Sequence, residues 1–312
     1  MRRRISFQAK IRNYWLRLLV CCAVVLVVAR HSVRAGLEQS SDKVREQRRA
    51  NQCQAVYFWG GGKAGSTTLA TYLKHGEDGS AWDPSGEFVD AGKEVCWAES
   101  GAARLWDRAF AECDSEHWIA LDACPRYRSR QQLTAILTKH PDAKFVMLVR
   151  DPVDRIVSHL NDDCRRGGNC ANIETRVREL LQRRSGVRWE LSQFGALLRV
   201  LLEAVPPSRV LIVRTEALSA SSQDITDSVL AFVGATRNKQ VRAHRSNNGR
   251  VAVYRDISAE MRAALQRALA PDAELLFYLV GRRFPWSWVA AAGADDWHVA
   301  HPTPLPPLIN AR

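Results

Sequence analysis

A chain of 312 residues, 46% hydrophobic and 25% charged, can bury one large core, which excludes a disordered or fibrous polypeptide. Its net charge of +12 would suit a nucleic-acid binder, yet the first fifty residues hold 12 Lys/Arg against 3 Asp/Glu and so carry most of it. The rest of the chain is not strongly basic, and no nucleic-acid partner is expected.

Residues 1–17 form a basic tail with Arg2, Arg3, Arg4, Lys10, Arg12 and Arg17, followed by an unbroken apolar run over residues 18–29. The run is shorter than the roughly 20 residues that span a typical bilayer. Tyr14, Trp15 and a snorkelling Arg17 lengthen it, and secretory-pathway membranes are thin. Positive charge before the run predicts a signal-anchor with the N-terminus cytosolic and the remainder lumenal. A signal peptide cleaved after Val33-Arg34-Ala35 is the rival reading. Residues 30–53 are polar without an apolar stripe, which suits a stem.

The catalytic domain is expected over residues 54–290. Its first segment, AVYFWGGGKAGSTTLATYL from Ala55 to Leu73, reads as a buried strand, a glycine turn carrying Lys63 and a helix. Leu69 and Leu73 lie one turn apart, and Gly76 is placed to end the helix. Unpaired N–H groups and the helix dipole at such a start favour an anion, and Lys63 adds a full positive charge. An ordinary glycine turn with a surface lysine is the plainer alternative. A nucleotide-hydrolysing loop would put its lysine directly before Ser/Thr; here Ala64 and Gly65 intervene before Ser66, Thr67 and Thr68.

A second strand is expected over Trp118 to Leu121, and a third over Phe145 to Val149, whose uninterrupted apolar run suits burial on both faces. The third stops at Arg150. Asp151 then suits an N-cap and Pro152 the first helical position, with Val153, Ile156, Val157 and Leu160 at helical spacing. Ligands of parallel α/β sheets sit outside the carboxyl ends of strands, which makes Arg150 a candidate for a second anionic group. Helices are expected over Thr175 to Arg183, Leu191 to Leu202 and Ile225 to Phe232, with a strand over Val210 to Val213. This alternation predicts an α/β fold, a P-loop-type parallel sheet flanked by helices, as a single catalytic domain behind the N-terminal membrane anchor. Residues 291–312 are Ala- and then Pro-rich, expected as an extended wrap or a disordered end.

Apart from Cys21 and Cys22, the cysteines are Cys53, Cys96, Cys113, Cys124, Cys164 and Cys170, an even set compatible with an oxidising lumen. The closest pair, Cys164 and Cys170, could bridge the loop after the helix that carries Ser158. No spacing suggests zinc.

Together these segments resemble the sulfotransferase family that uses 3′-phosphoadenosine 5′-phosphosulfate (PAPS), and among its members the Golgi carbohydrate enzymes of heparan sulfate type. Gly60, Lys63, Gly65, Ser66 and Thr67 match the loop G-x-x-[KR]-[AGCT]-G-[ST]-[ST], which holds the 5′-phosphosulfate in relatives. Arg150, Asp151, Pro152 and Ser158 reproduce the strand-ending arginine and later serine that grip the 3′-phosphate. Lys93 to Trp97 resembles the E-V-H-F-F segment whose glutamate is the general base, which would be Glu94; His159 and Glu99 are alternatives. Arg209 to Leu218 is similar to a later strand with an E-x-L ending, and Leu276 to Trp286 to a closing Y-x-x-x-G-R-x-x-x-W segment. Gly249 and Arg250 stand where a K-G-R nucleotide loop would be. The chain departs from the pattern at Asp122-Ala123-Cys124-Pro125-Arg126-Tyr127, where E-K-[TS]-P-x-Y is common, so Ala123 replaces an active-site lysine and Arg126 is a nearby cation.

The resemblance implies PAPS as co-substrate with Lys63, Ala64, Gly65, Ser66, Thr67, Thr68, Arg150, Ser158, Gly249 and Arg250 as its binding residues. Lys63 and Glu94 are the expected catalytic pair, with no metal, because the sulfuryl group carries less charge than a phosphoryl and lysine can serve in magnesium's place. The expected acceptor is a glycan and the expected location the Golgi membrane, single-pass type II. Two rivals remain: a kinase using Asp122 for magnesium, and a binding protein for the bisphosphate product (PAP) without turnover.

Overall fold

The apolar run after residue 54 forms the expected central strand. This computed structural model describes residues 54–74, 88–89, 95–100, 104, 106–107, 119–166, 172–218, 220–235, 255–289 and 297–304. The basic tail, the 18–29 run, the stem and Gly76, Trp118, Cys53, Cys113 and Cys170 lie outside those residues. No described helix is long and apolar enough to cross a membrane.

Strand β1 is Gln54–Phe58, and Val56, Tyr57 and Phe58 are wholly buried. Helix α1 (Ser66–Lys74) follows the glycine turn, then β2 (Phe88–Val89), the short α2 (Trp97–Ser100) and β3 (Ile119–Asp122). Helix α3 (Arg130–Lys139) leads to β4 (Lys144–Val149), and α4 (Pro152–Arg165) leaves it. Then come α5 (Ile173–Arg183), α6 (Val187–Glu190), α7 (Phe194–Leu202), β5 (Val210–Arg214), α8 (Ser222–Val233), α9 (Ala259–Val280) and β6 (Val299–Ala300). The sheet order is β2-β3-β1-β4-β5-β6, parallel except for β6, which runs antiparallel to β5.

β1 therefore lies between β3 and β4, so the chain passes to one side of β1 and later returns on the other. This reversal is the switch point at which α/β sheets bind ligands. It puts the residues after β1 and β4, which carry Lys63 and Arg150, side by side.

One large core surrounds the sheet. A second apolar cluster packs Val153, Ile156, Val157 and Leu160 of α4 against α5 and α9. Its pull fixes the rotation of α4, turning the row Arg155, His159 and Asp162 away from that cluster.

The helix expected over residues 191–202 forms but starts three residues later, at Phe194. The wholly buried Arg155 donates from Nη1 to the Arg188 carbonyl (2.8 Å) and to Ser192 Oγ (2.6 Å). The carbonyl that would continue the helix is thus engaged, and α6 ends in a turn before α7.

The extended wrap expected of the tail is seen in residues 297–304. Trp297 is buried, Val299–Ala300 pairs with β5, and Thr303 N–H donates to Leu279 O at 2.8 Å. The bridge considered between Cys164 and Cys170 does not form, because Cys164 is a free thiol. The disulfide among the described residues joins Cys96 to Cys124.

Candidate active site

The turn after β1 is built from left-handed backbone: φ is +64° at Gly60, +81° at Gly61, +68° at Lys63 and +86° at Gly65. That region costs an L residue about 1–2 kcal/mol, so Lys63 keeps it only because the loop is tied around it. Gly60 N–H donates to Tyr127 O (2.7 Å) and Ala64 N–H to Gly61 O (2.8 Å). Arg150 Nη1 donates to Lys63 O (3.1 Å) and Thr215 Oγ1 to Ala64 O (2.6 Å). At Gly65 a Cβ would stand 2.6 Å from Leu218 Cδ1, so any other residue must push that buried methyl aside besides adopting the positive φ. Ser66, Thr67 and Thr68 form the first turn of α1, the end of a helix where N–H groups face an anion.

Arg150 reaches this loop from the end of β4, the strand paired with β1. Its neighbour Asp151 caps α4, accepting from Val153 N–H (2.8 Å) and Asp154 N–H (3.2 Å), and Trp288 Nε1 donates to its other oxygen at 2.7 Å. Asp151 N–H donates to Glu216 Oε1 at 2.7 Å. Burial pushes both carboxyls above their ordinary values. Glu216, of the E-x-L ending, thus braces the segment that aims Arg150.

Lys63 Nζ lies 3.3 Å from Asp162 Oδ1 on α4. Burial lowers the lysine amine, and Asp162 opposes that shift. Ser158, half-buried, stands one turn before Asp162 on the same helix.

His159 is excluded as the base. Arg155 Nη2 lies 3.1 Å from its Nδ1, and a guanidinium only donates, so Nδ1 holds the lone pair and Nε2 the proton. Burial, then the Arg155 charge, pushes the ring down to about 4. The neutral ring has its acceptor nitrogen occupied.

On the far side of the loop, wholly buried Asp122 accepts Cys96 N–H at Oδ1 (3.1 Å) and the Tyr127 hydroxyl at Oδ2 (2.7 Å). Tyr127 holds the Gly60 amide through its carbonyl and the Ala98 amide through its hydroxyl (3.3 Å). With the Cys96–Cys124 bridge, this network fixes residues 95–98 over the end of β3. Glu99 faces Arg126 (2.8 Å) and Arg128 (3.6 Å), which removes it as a free base. Cys96, Glu99 and Cys124 lie close enough for a metal, but the bridged sulfurs are not thiolates and cannot ligate as such. Ala123 is wholly buried, and Arg126 is on the surface with Glu99.

Of the expected residues, Lys63, Ala64, Gly65, Ser66, Thr67 and Thr68 share one loop, and Arg150 touches it directly. Glu94, Gly249 and Arg250 lie outside the described residues. Sequence reasoning missed Asp162, Tyr127 and Thr215. Only the terminal tyrosine of the P-x-Y pattern gave a signal for any of them.

Residues 31–239 match the family model described as "Sulfotransferase family", well over half of the chain. Among solved structures, a sulfotransferase from Alicyclobacillus acidocaldarius aligns with TM-score 0.58 and 16% identity, covering 75% of this chain and 98% of that one. Mouse sulfotransferase SULT7A1 complexed with PAP aligns at TM-score 0.41 and 14% identity, over 74% and 70% of the two chains. No curated protein matches in sequence.

Proposed function

This chain belongs to the sulfotransferase family, and from that premise we propose that it moves the sulfuryl group of PAPS to a carbohydrate hydroxyl. The observation that carries the donor reading is the Arg150 guanidinium seated on the Lys63 carbonyl, which ties the end of β4 to the glycine loop at the switch point. The glycine loop, with left-handed backbone at Gly60, Gly61 and Gly65, fits a phosphate drawn close to backbone. Lys63 and the first turn of α1, Ser66 to Thr68, would hold the 5′ phosphosulfate. Arg150 and Ser158 would take the 3′-phosphate, with Gly249 and Arg250 assigned to the same nucleotide by the sequence pattern alone.

In the transfer, the acceptor oxygen forms a bond to sulfur while the bond from sulfur to the 5′-phosphate oxygen breaks, and the bisphosphate leaves. Negative charge grows on that bridging oxygen. A protonated Lys63 there stabilises the transition state more than the ground state. Glu94 is assigned the hydroxyl proton on the likeness of residues 93–97 to the E-V-H-F-F segment.

The glycan acceptor is supported by the likeness of residues 93–97 and 276–286 to carbohydrate enzymes. A Golgi type II arrangement is supported by the charge before residues 18–29 and by a disulfide suited to an oxidising lumen.

A second reading, a PAP-binding protein without turnover, is favoured by one observation: buried Ala123 leaves no cation where relatives keep a lysine. The kinase reading loses its support, since both oxygens of Asp122 are committed to Cys96 and Tyr127. Transfer of radiolabelled sulfate from PAPS to panels of glycans, peptides and lipids tests the function. Labelled glycan is the expected result; tight PAP binding with no labelled product would favour the second reading.

A further inference from the structure

Lys63 does not stand alone in its loop. Its ammonium meets Asp162, an α4 carboxylate whose side chain is only 11% exposed. Asp162 Oδ1 also accepts from Arg165 Nη2 (2.5 Å), and Oδ2 pairs with Arg166 Nε (3.1 Å). Three cations thus surround one acid. The contact with Asp162 engages one of the three ammonium donors.

We infer that Asp162 is the positioning residue for Lys63, fixing the direction of its amine and keeping it protonated for the departing bridging oxygen. The inference rests on the sulfuryl-transfer reading above. It adds a residue from outside both sequence segments that bind the donor.

Every charged group around the amine bears on its proton. Burial lowers the amine first, and Arg165 and Arg166 of α4 act in the same direction. Arg150 brings a further cation from the end of β4 to the Lys63 carbonyl, and His159 is neutral. Among the described residues, Asp162 is the acid that opposes them. Its own burial would favour the neutral carboxyl, but the Arg165 hydrogen bond and the Lys63 charge outweigh this and hold it below the usual carboxylate range. Asp162 is therefore ionised wherever the enzyme works, and removing its charge must lower the Lys63 pKa further.

The test needs no acceptor. PAP binding is measured by calorimetry from pH 6.5 to 10.5 on the wild type, Asp162→Asn and Asp162→Glu. Wild-type affinity should fall at alkaline pH as Lys63 loses its proton. In Asp162→Asn that fall should begin about one pH unit lower, and Asp162→Glu should return it toward the wild-type position. Asp162→Ser, neutral and smaller, serves if the asparagine variant does not fold. An unmoved alkaline limb in the neutral variant overturns the inference. So does tighter PAP binding across the range, which would make Asp162 a competitor for Lys63. A wild type that binds no PAP would instead defeat the sulfotransferase reading beneath it.

Discussion

Gly65→Ala should weaken the fold and the phosphate loop together, for two separable reasons. Gly65 has φ +86°, and a Cβ there would stand 2.6 Å from Leu218 Cδ1 and 3.3 Å from Thr215 Cγ2. The left-handed backbone costs an alanine about 1–2 kcal/mol, and forcing a methyl into a filled site costs about 1–3 kcal/mol more. Leu218 is itself buried, so turning its methyl aside displaces other core atoms. The sum is about 2–5 kcal/mol, or roughly 4–20 °C in Tm at about 2–4 °C per kcal/mol for a domain of this size. Thr215 Oγ1 holds the Ala64 carbonyl, so pushing Thr215 also loosens the loop and should weaken PAP binding. Urea unfolding and PAP calorimetry on the same preparation read both effects. Adding Leu218→Ala should relieve the steric share but not the backbone share, giving a favourable coupling of about 1 kcal/mol. A Gly65→Ala protein within 0.5 kcal/mol of wild type would refute the geometric argument.

Lys63→Ala should lower turnover by about 100-fold or more while the protein stays folded; a rate near wild type would remove Lys63 from the chemistry. Breaking the Cys96–Cys124 bridge, which closes a separation of 28 residues, should cost about 3 kcal/mol of unfolding free energy. Equal stability of reduced and oxidised protein would contradict this. Burial raises the Asp272 pKa to about 6, against hydrogen bonds from the Gly195 and Ala196 amides that lower it. The fold therefore holds this proton more tightly than the unfolded chain, so the contribution is full below about pH 4 and lost as pH rises through about 6. Unfolding curves from pH 4 to 7 should show this loss in wild type relative to Asp272→Asn; parallel profiles would disprove it.

The glycine loop and the strand end that carries Arg150 were legible because their signals are local. Three glycines after an apolar run can only turn, and Arg-Asp-Pro after a buried run marks a strand end and a helix start within three residues. The network around Cys96, Asp122 and Tyr127 depends on distant partners. Cys96 with Cys124 is one pairing among many for six cysteines, and Asp122 looks like a strand-end acid until Cys96 and Tyr127 are seen to occupy it. Asp162 lies 99 positions from Lys63, and only the rotation of α4, set by its apolar face, brings them together. Helix α9 escaped notice because it packs on α4, α5 and α7 and so shows no single apolar stripe, while Pro271 reads as a stop. The edge strand β6 hides in a tail whose prolines suggest no pairing at all.

The central claim is that cations after neighbouring strands β1 and β4 hold opposite ends of one adenosine bisphosphate. Its most direct test compares the affinities of PAP and AMP, which differ only in the 3′-phosphate, for wild type and Arg150→Ala. Wild type should prefer PAP by at least about tenfold, the value of one charge-assisted contact of about 1.5 kcal/mol. Arg150→Ala should lose that preference, with any fall from the lost Lys63 carbonyl contact shared equally by PAP and AMP. Equal binding of the two nucleotides by wild type, or a preference that survives in the variant, would contradict the account.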